Sequence, residues 1–134
     1  MTNLEFQGTK SVVGDIIVPG DKSISHRSII LGAISAGDTR IRGFLEAEDT
    51  LNTLHAFEEC GVGWRREEDA IIIEGRGKDN LREPTLPVDM GNSGTGMRLL
   101  AGLFSGLDMF VVLTGDSSLR TRPMGRIRGP LLEM

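Results

Sequence analysis

Hydrophobic and polar residues follow two different periods along the chain, and the change from one period to the other predicts where helices and strands lie. Short runs of Val and Ile bounded by Gly, Pro and charged residues are typical of strands, whereas apolar residues that recur every three or four positions indicate helices. The first half contains six predicted elements in the order βαβαββ, over residues 12–18, 23–35, 39–45, 48–60, 62–66 and 70–74. After a loop rich in Gly and Pro the order begins again, with a strand over 86–90, a helix over 96–107, a strand over 109–114 and a helix that begins near Pro123.

The two halves correspond in spacing, which predicts an internal repeat. Ser23 and Thr95 open corresponding helices 72 positions apart, and Asp49 and Pro123 open the next pair 74 positions apart. The fold class is therefore α/β, with one complete βαβαββ unit over about 21–80 and part of a second unit over about 85–134. Because the closing hairpin of the second unit would begin beyond Met134, we expect the chain to be a fragment that ends inside a helix.

Composition and charge narrow the functional class. The 134 residues carry a formal net charge of -4, which argues against a broad nucleic-acid surface. The sequence contains neither an apolar run of about 18 residues nor an export signal at its start, so we expect a cytoplasmic protein without a membrane span. Cys60, the only cysteine, stands at the predicted end of a helix, which favours a small buried residue. His26 and His55 are too far apart for a helical metal pair, so no metal site is predicted.

Basic residues nevertheless gather at the first strand-to-helix junction, "PGDKSISHRS". Ser23 and Arg27 are four positions apart and share one face of the predicted helix, with Lys22 at its start. The unpaired N–H groups and the positive dipole of a helix start add to these side chains, so the junction is predicted to bind a small anion. The alternative is a helix that Ser23 merely caps, with solvated basic side chains. His26 points about 100° away from Arg27 and is given no role in binding.

Two later junctions have similar chemistry. "MGNSGTGMR" places glycines at 91, 94 and 96 beside the polar side chains of Asn92, Ser93 and Thr95, so the backbone can approach an oxyanion closely. In "GDSSLRTRPMGRIR", Arg120 and Arg122 precede a helix, and a solvated basic loop is the alternative interpretation. Since all three junctions follow strand ends and lead into helices, the repeat predicts that they form one cationic pocket.

Four motifs together resemble the 5-enolpyruvylshikimate-3-phosphate synthase family of enolpyruvyl transferases, in order and spacing, from about Val12 onward: "PGDKSISHRS", "EAEDT", "GNSGTGMRLL" and "LTGDSSLRTRPMGRI". The first motif is closest to the bacterial subgroup often called class II, and Gly94 stands where the glyphosate-tolerant members of that subgroup have alanine. The resemblance implies an inside-out α/β barrel of repeated βαβαββ units in two domains, with the active site between them. Residues 1–20 would then be an opening strand of the other domain, and residues 21–134 would be part of the N-terminal-side domain.

The resemblance also implies a reaction. The enolpyruvyl (1-carboxyvinyl) group of phosphoenolpyruvate would be transferred to the 5-hydroxyl of shikimate 3-phosphate, with release of phosphate, in the shikimate pathway of aromatic amino acid biosynthesis; no metal or organic cofactor takes part. Lys22 would be the catalytic residue that contacts phosphoenolpyruvate and the reacting hydroxyl, and Ser23 and Arg27 would hold the carboxylate side of shikimate. Arg122 would grip the phosphate of phosphoenolpyruvate. The glycine turn would form the wall beside phosphoenolpyruvate with Asn92, Gly94 and Thr95.

Two other functions stay open. The UDP-N-acetylglucosamine enolpyruvyl transferases share the architecture and the donor substrate, but they normally have Asn at the position of Ser23 and a reactive cysteine in the turn that corresponds to residues 115–122. A non-catalytic anion-binding module, or a half-protein that joins a complementary piece, is the second alternative. Because the family's second domain supplies the groups that move protons, we expect the isolated chain to be inactive and to associate with the missing remainder or with itself.

Overall fold

The chain forms five helices and five strands within residues 4, 5, 7, 8 and 11–134, the part that this computed structural model describes. In chain order these elements are α1 (Lys22–Ile34), β1 (Ala36–Arg42), α2 (Glu48–Glu59), β2 (Gly63–Glu67), β3 (Ala70–Arg76), β4 (Val88–Asp89), α3 (Gly94–Phe104), β5 (Leu113–Thr114), α4 (Ser117–Thr121) and α5 (Gly125–Glu133). A single 3-10 turn over Lys78–Asn80 lies between β3 and β4. None of these described helices has both the length and the hydrophobicity that a membrane span requires.

The first unit is a three-stranded antiparallel sheet with α1 and α2 against one face. The strand order is β1-β3-β2, so β3 pairs with both of its neighbours. Successive residues of a strand face opposite sides of the sheet. Ile73 faces the helices and packs against Gly32 of α1, where an added Cβ would lie only 3.2 Å from the Cβ of Ile73. Ile72 faces the other side and is still only 3% exposed, since the register places it between Arg40 and Arg65, whose long side chains cover it.

The second unit adds a short parallel strand pair and α3 to the same core. Val88 of β4 pairs with Leu113 of β5. The rings of Phe57 in α2 and Phe104 in α3 lie 6.4 Å apart between centroids and are tilted by 54°, an arrangement that aromatic pairs favour. Both rings are buried, and residues from both units belong to one hydrophobic cluster. The two units are therefore held together by α2 against α3.

The prediction of a strand over 12–18 is wrong for the part of the chain that the structure describes. The segment is extended, but no described strand pairs with it. Its large apolar side chains are exposed, with Val13 at 95% and Ile17 at 102% of their full accessible area. The β-branched residues explain why an extended segment was predicted, but a strand also needs a neighbour for its N–H and C=O groups.

Most other bounds agree with the predictions to within two residues, apart from those of β1, the start of β5 and the end of α3, which lies at Phe104 rather than Leu107. β1 covers 36–42 rather than 39–45, because Gly43 turns the chain with a φ of +64°. β4 and β5 have two residues each, so the predicted strands over 86–90 and 109–114 are too long. The helices α1 and α3 begin at Lys22 and Gly94, which confirms the predicted offset of 72 positions between the two units.

The helix predicted to begin near Pro123 is α5, which begins at Gly125, so the predicted start is correct to within two residues but Pro123 does not lie in its first turn. Before α5 the chain forms the short helix α4, which was not predicted from the sequence. Asp116 caps α4 by accepting a hydrogen bond of 2.6 Å from the N–H of Leu119. Pro123 then lies in the link to α5, and the N-cap of α5 is Met124. As a result α2 and α5 begin 77 positions apart rather than 74.

Cys60 is buried immediately after α2, as predicted for a small core residue. Desolvation, with a smaller contribution from Glu59, raises the pKa of its thiol to about 11. The thiolate, which is the reactive form, is therefore scarce at neutral pH.

Candidate anion-binding site

The first junction is fixed by Asp21 and Ser25. The Asp21 carboxylate accepts a hydrogen bond of 2.7 Å from the N–H of Ile24, which makes Asp21 the N-cap of α1. The Ser25 hydroxyl donates to the Asp21 carbonyl at 2.8 Å and accepts from the N–H of Leu45 at 3.0 Å, so it ties the helix start to the loop after β1. The interpretation of Ser23 as the cap is therefore wrong, and the exposed Ser23 side chain is left to other partners.

Lys22 joins this junction to α2. Its ammonium group lies 2.9 Å from Oδ2 of Asp49, and the Lys22 side chain remains 51% exposed. Arg27, one turn after Ser23, is also exposed. An ammonium group has three N–H donors, so the Asp49 contact leaves donors of Lys22 for an anion.

His26 lies between Lys22 and Arg27 in α1, and its side chain is fully buried. Its Nδ1 is 2.8 Å from the Thr53 hydroxyl on α2, while Nε2 has no hydrogen-bond partner among the described residues. Burial lowers the pKa of the imidazole; Asp49 opposes this effect, and the positive charges of Lys22 and Arg27 add to it. A neutral His26 therefore links α1 to α2 directly behind the cationic helix start.

The glycine turn after β4 is attached to the same helix. Asn52 of α2 donates a hydrogen bond of 3.1 Å from Nδ2 to the carbonyl of Met90. Gly91 has a φ of +53°, and a Cβ at this position would lie 2.4 Å from Asn52 Nδ2, so only glycine fits there. Asp49 and Asn52 are three positions apart on α2, so the contact to Lys22 and the contact to the glycine turn come from adjacent positions on one helix.

The start of α3 packs tightly against this turn. Ser93 caps α3 by accepting a hydrogen bond from the N–H of Gly96 at 3.2 Å. A Cβ on Gly96 would lie 2.7 Å from Ser93 Oγ and 2.9 Å from Thr53 Oγ1, the hydroxyl that also contacts His26. Thr95, in the first turn of α3, has an exposed side chain.

The second and third junctions meet directly. Asn92 accepts a hydrogen bond from Nη2 of Arg122 at its Oδ1 and donates from Nδ2 to Oδ2 of Asp116 at 2.7 Å. A Cβ on Gly94 would lie 2.9 Å from Nη1 of Arg122. Three of the predicted site residues, Asn92, Gly94 and Arg122, are thus in one cluster, even though 30 positions separate the first from the last.

Arg98 belongs to this cluster, although no role was predicted for it from the sequence. Its guanidinium donates to the carbonyl of Gly94 at 3.0 Å and to the carbonyl of Pro123 at 3.3 Å. Its Nε is buried without a hydrogen-bond partner among the described residues. The spacing of Arg98 could have indicated its contact with Gly94, because Arg98 stands four positions after Gly94 and therefore lies on the same face of the helix.

The predicted residues therefore occupy two groups. Lys22, Ser23 and Arg27 lie at the start of α1, whereas Asn92, Gly94, Thr95 and Arg122 lie around the start of α3. The helix α2 contacts both groups through Asp49 and Asn52. Guanidinium, ammonium and backbone N–H groups at two helix starts are a donor set suited to small anions.

Comparison with known proteins identifies relatives of this arrangement. The model of the EPSP synthase (3-phosphoshikimate 1-carboxyvinyltransferase) family matches residues 6–134. A 3-phosphoshikimate 1-carboxyvinyltransferase from Geobacter sp. (strain M21) is 54% identical over 134 residues, which are 100% of this chain and 31% of that protein. The enzyme of the same name from Pelotomaculum thermopropionicum is 49% identical over 133 residues, again 31% of its length. The chain thus spans 31% of the length of these curated relatives.

A solved structure of a member of this family has a similar fold. The structure of EPSP synthase from Acinetobacter baumannii, determined at 2.37 Å, superposes with a TM-score of 0.86 and 50% sequence identity. The match covers 90% of this chain and 27% of that one. The predicted α/β fold of repeated units is thereby confirmed for the region that the match covers.

Proposed function

We propose that this chain, which belongs to the EPSP synthase family, supplies part of the active site of an enolpyruvyl transferase. The enzyme would transfer the enolpyruvyl group of phosphoenolpyruvate to the 5-hydroxyl of shikimate 3-phosphate and release phosphate. The observation that carries the proposal is the contact of Asn92 and Gly94 with Arg122, because it gathers the second and third junctions around one guanidinium. Both substrates are polyanions, which fits a site built from cations and helix starts.

In this proposal the chain's own residues bind and orient the substrates. Lys22 contacts phosphoenolpyruvate and the reacting hydroxyl, while Ser23 and Arg27 hold the carboxylate side of shikimate 3-phosphate. Arg122 holds the phosphate of phosphoenolpyruvate. The cations offset the repulsion between two anions held beside each other, and binding removes the freedom of the anions to diffuse apart, which is a large part of the barrier for a reaction between two molecules.

The glycine turn forms the remaining wall of the pocket, and each of its residues has a different role there. Asn92 holds Arg122 by a hydrogen bond, and Gly94 leaves room for the guanidinium beside the start of α3. Thr95 directs an exposed hydroxyl from the first turn of that helix and would contact phosphoenolpyruvate. The proton transfers of the reaction would need groups that the rest of the enzyme supplies.

The domain arrangement is part of the same proposal. Residues 1–20 would join the other domain, which accounts for the exposed side chains over 12–18 within the described part of this segment. An apolar groove of about 450 Å³ between α3 and α5, with Met97, Ala101 and Ile127 among its lining, would receive the closing hairpin of the second unit. The protein would be cytoplasmic.

A chimera provides the test. We define it as the Geobacter relative with its matching 31% replaced by this chain, and its activity is measured as phosphate release from phosphoenolpyruvate with shikimate 3-phosphate. The chimera is expected to turn over, whereas the 134-residue chain alone is expected to give no product. An inactive chimera that folds with the melting temperature of an active parent would contradict the proposal. Product formation by the isolated chain would contradict the assignment of the proton-transfer groups to the rest of the enzyme.

A further inference from the structure

We propose that Asp116 is a positioning residue that sets the direction of the Asn92 amide and, through it, the orientation of the Arg122 guanidinium. Asp116 does not belong to the predicted site residues, and it acts through Asn92 rather than on a substrate. The role of Arg122 toward phosphoenolpyruvate rests on the proposed function, but the contacts among the three side chains do not.

The three side chains form a closed ring with helix α4. Asp116 is the N-cap of α4 and Arg122 is its C-cap, so the five helical residues fix the distance between the two. Asn92 closes the ring from the glycine turn, with Asp116 on one side of its amide and Arg122 on the other. A backbone hydrogen bond also connects the glycine turn to the start of α4, since the N–H of Asp116 donates to the carbonyl of Gly91 at 2.9 Å.

The polarity of the ring permits only one direction of the amide. A carboxylate only accepts hydrogen bonds and a guanidinium only donates them. Asn92 must therefore turn its NH2 group to Asp116 and its oxygen to Arg122, as it does. The hydrogen bond from Asn92, followed by the bond from the Leu119 N–H, lowers the pKa of the Asp116 carboxyl, so the acceptor is ionised at neutral pH.

The substitution Asp116→Asn reverses this polarity at constant shape. One end of the side chain, Oδ1, accepts from the N–H of Leu119 and is needed as the cap of α4. The end that faces Asn92 then becomes an NH2 group, so Asn92 has to turn its oxygen away from Arg122. Arg122 would meet an NH2 group and lose this partner. Asp116→Ser keeps a capping hydroxyl but is too short to hold Asn92, and it should have the same effect on Arg122.

The experiment compares these variants in the chimera with Asp108→Asn, which removes the same charge at an exposed turn. For Asp116→Asn and Asp116→Ser we expect the KM for phosphoenolpyruvate to rise about ten-fold, as for a lost hydrogen bond to a charged group. The KM for shikimate 3-phosphate and the melting temperature should stay unchanged, which a general loss of structure would not allow. A KM for phosphoenolpyruvate within about two-fold of the parent in both variants would overturn the proposal.

A second readout does not depend on turnover. In the 134-residue chain, the guanidinium NMR resonance of Arg122 should shift in Asp116→Asn and stay in place in Asp108→Asn. An unchanged Arg122 resonance in Asp116→Asn would overturn the positioning role. If the parent chimera is inactive, the proposed function fails, and this resonance still decides the role of Asp116.

Discussion

The ammonium group of Lys22 lies 2.9 Å from the carboxylate of Asp49, so the cation at the start of α1 is paired across to α2. An anion that binds Lys22 shares it with this carboxylate or displaces it. The pair is half exposed on the lysine side, and exposed ion pairs contribute only about 0–1 kcal/mol to stability. Its main effect is therefore to hold the ammonium group at the mouth of the site.

The first prediction separates the two partners of this pair. In the chimera, Lys22→Ala should lower kcat/KM on the order of 100-fold or more, because a positioned cation is lost at the reacting centre. Asp49→Asn removes only the partner and should cost less than about five-fold, the range of an exposed pair. Steady-state kinetics of both variants provide the measurement. Equal losses in the two variants would show that Lys22 acts only through its pair with Asp49.

A second prediction concerns the space beside Gly94. An added Cβ would lie 2.9 Å from Nη1 of Arg122 and 3.0 Å from Nη1 of Arg98, so Gly94→Ala has to displace a guanidinium. We expect the KM of the chimera for phosphoenolpyruvate to rise about ten-fold, with less effect on shikimate 3-phosphate.

Gly102 provides the matched control for this change. It lies on the same helix, and a Cβ there would have no heavy atom within 4 Å apart from its chain neighbours and the backbone of α3 itself. Gly102→Ala should leave both KM values unchanged and stabilise α3 by about 0.5–1 kcal/mol, because alanine loses less backbone entropy than glycine. If the two alanine variants show the same KM values, the crowding of Arg122 has no consequence for binding.

The third prediction is a pH dependence of stability from His26. Burial holds the pKa of His26 below its usual value of 6.5 in the folded chain, so the unfolded chain binds the proton first as the pH falls. The contribution of His26 to the free energy of unfolding should therefore be constant above about pH 6.5 and fall below it, by at most about 1.4 kcal/mol per pH unit.

Urea unfolding of the chain between pH 7.5 and 5 is the measurement for His26. His26→Asn should remove the slope, whereas His55→Gln, at an exposed position on α2, should keep it. A slope that disappears with His55→Gln and persists with His26→Asn would mean that the buried imidazole is not the group responsible.

A fourth prediction follows from the exposed segment over 12–18. Ile16 is 85% and Ile17 is 102% exposed, and neighbouring residues of an extended segment face opposite sides, so both sides are apolar. The isolated chain should associate at micromolar concentration, because exposed apolar surface of this kind is normally covered. Sedimentation equilibrium should show a smaller mean mass for the double variant Ile16→Ser, Ile17→Ser. A wild-type chain that is purely monomeric at these concentrations would contradict this expectation.

Local sequence patterns were sufficient to predict most of the helices and strands. The helix α2 could be predicted because two acidic residues mark its start and Gly61, with a φ of +83°, marks its end. The short helix α4 was missed because its only local signal is the cap at Asp116, and five residues are too few for a visible apolar period. The prediction of a strand over 12–18 was wrong for a different reason, since strand pairing depends on a neighbouring strand that the local pattern does not contain.

The sequence alone determined which chemical groups gather at the ends of elements: cations, glycines and small hydroxyl residues at three junctions, in a spacing that repeats. Such properties depend on neighbours within a few positions, and backbone sterics fix them locally. Only the tertiary structure decided that Arg122 meets Asn92, that Asp116 directs this contact, and that Arg98 joins Gly94 to Pro123. These contacts connect residues that the chain brings together only when α2 and α3 bury their shared apolar faces, and no local pattern encodes the distances that result.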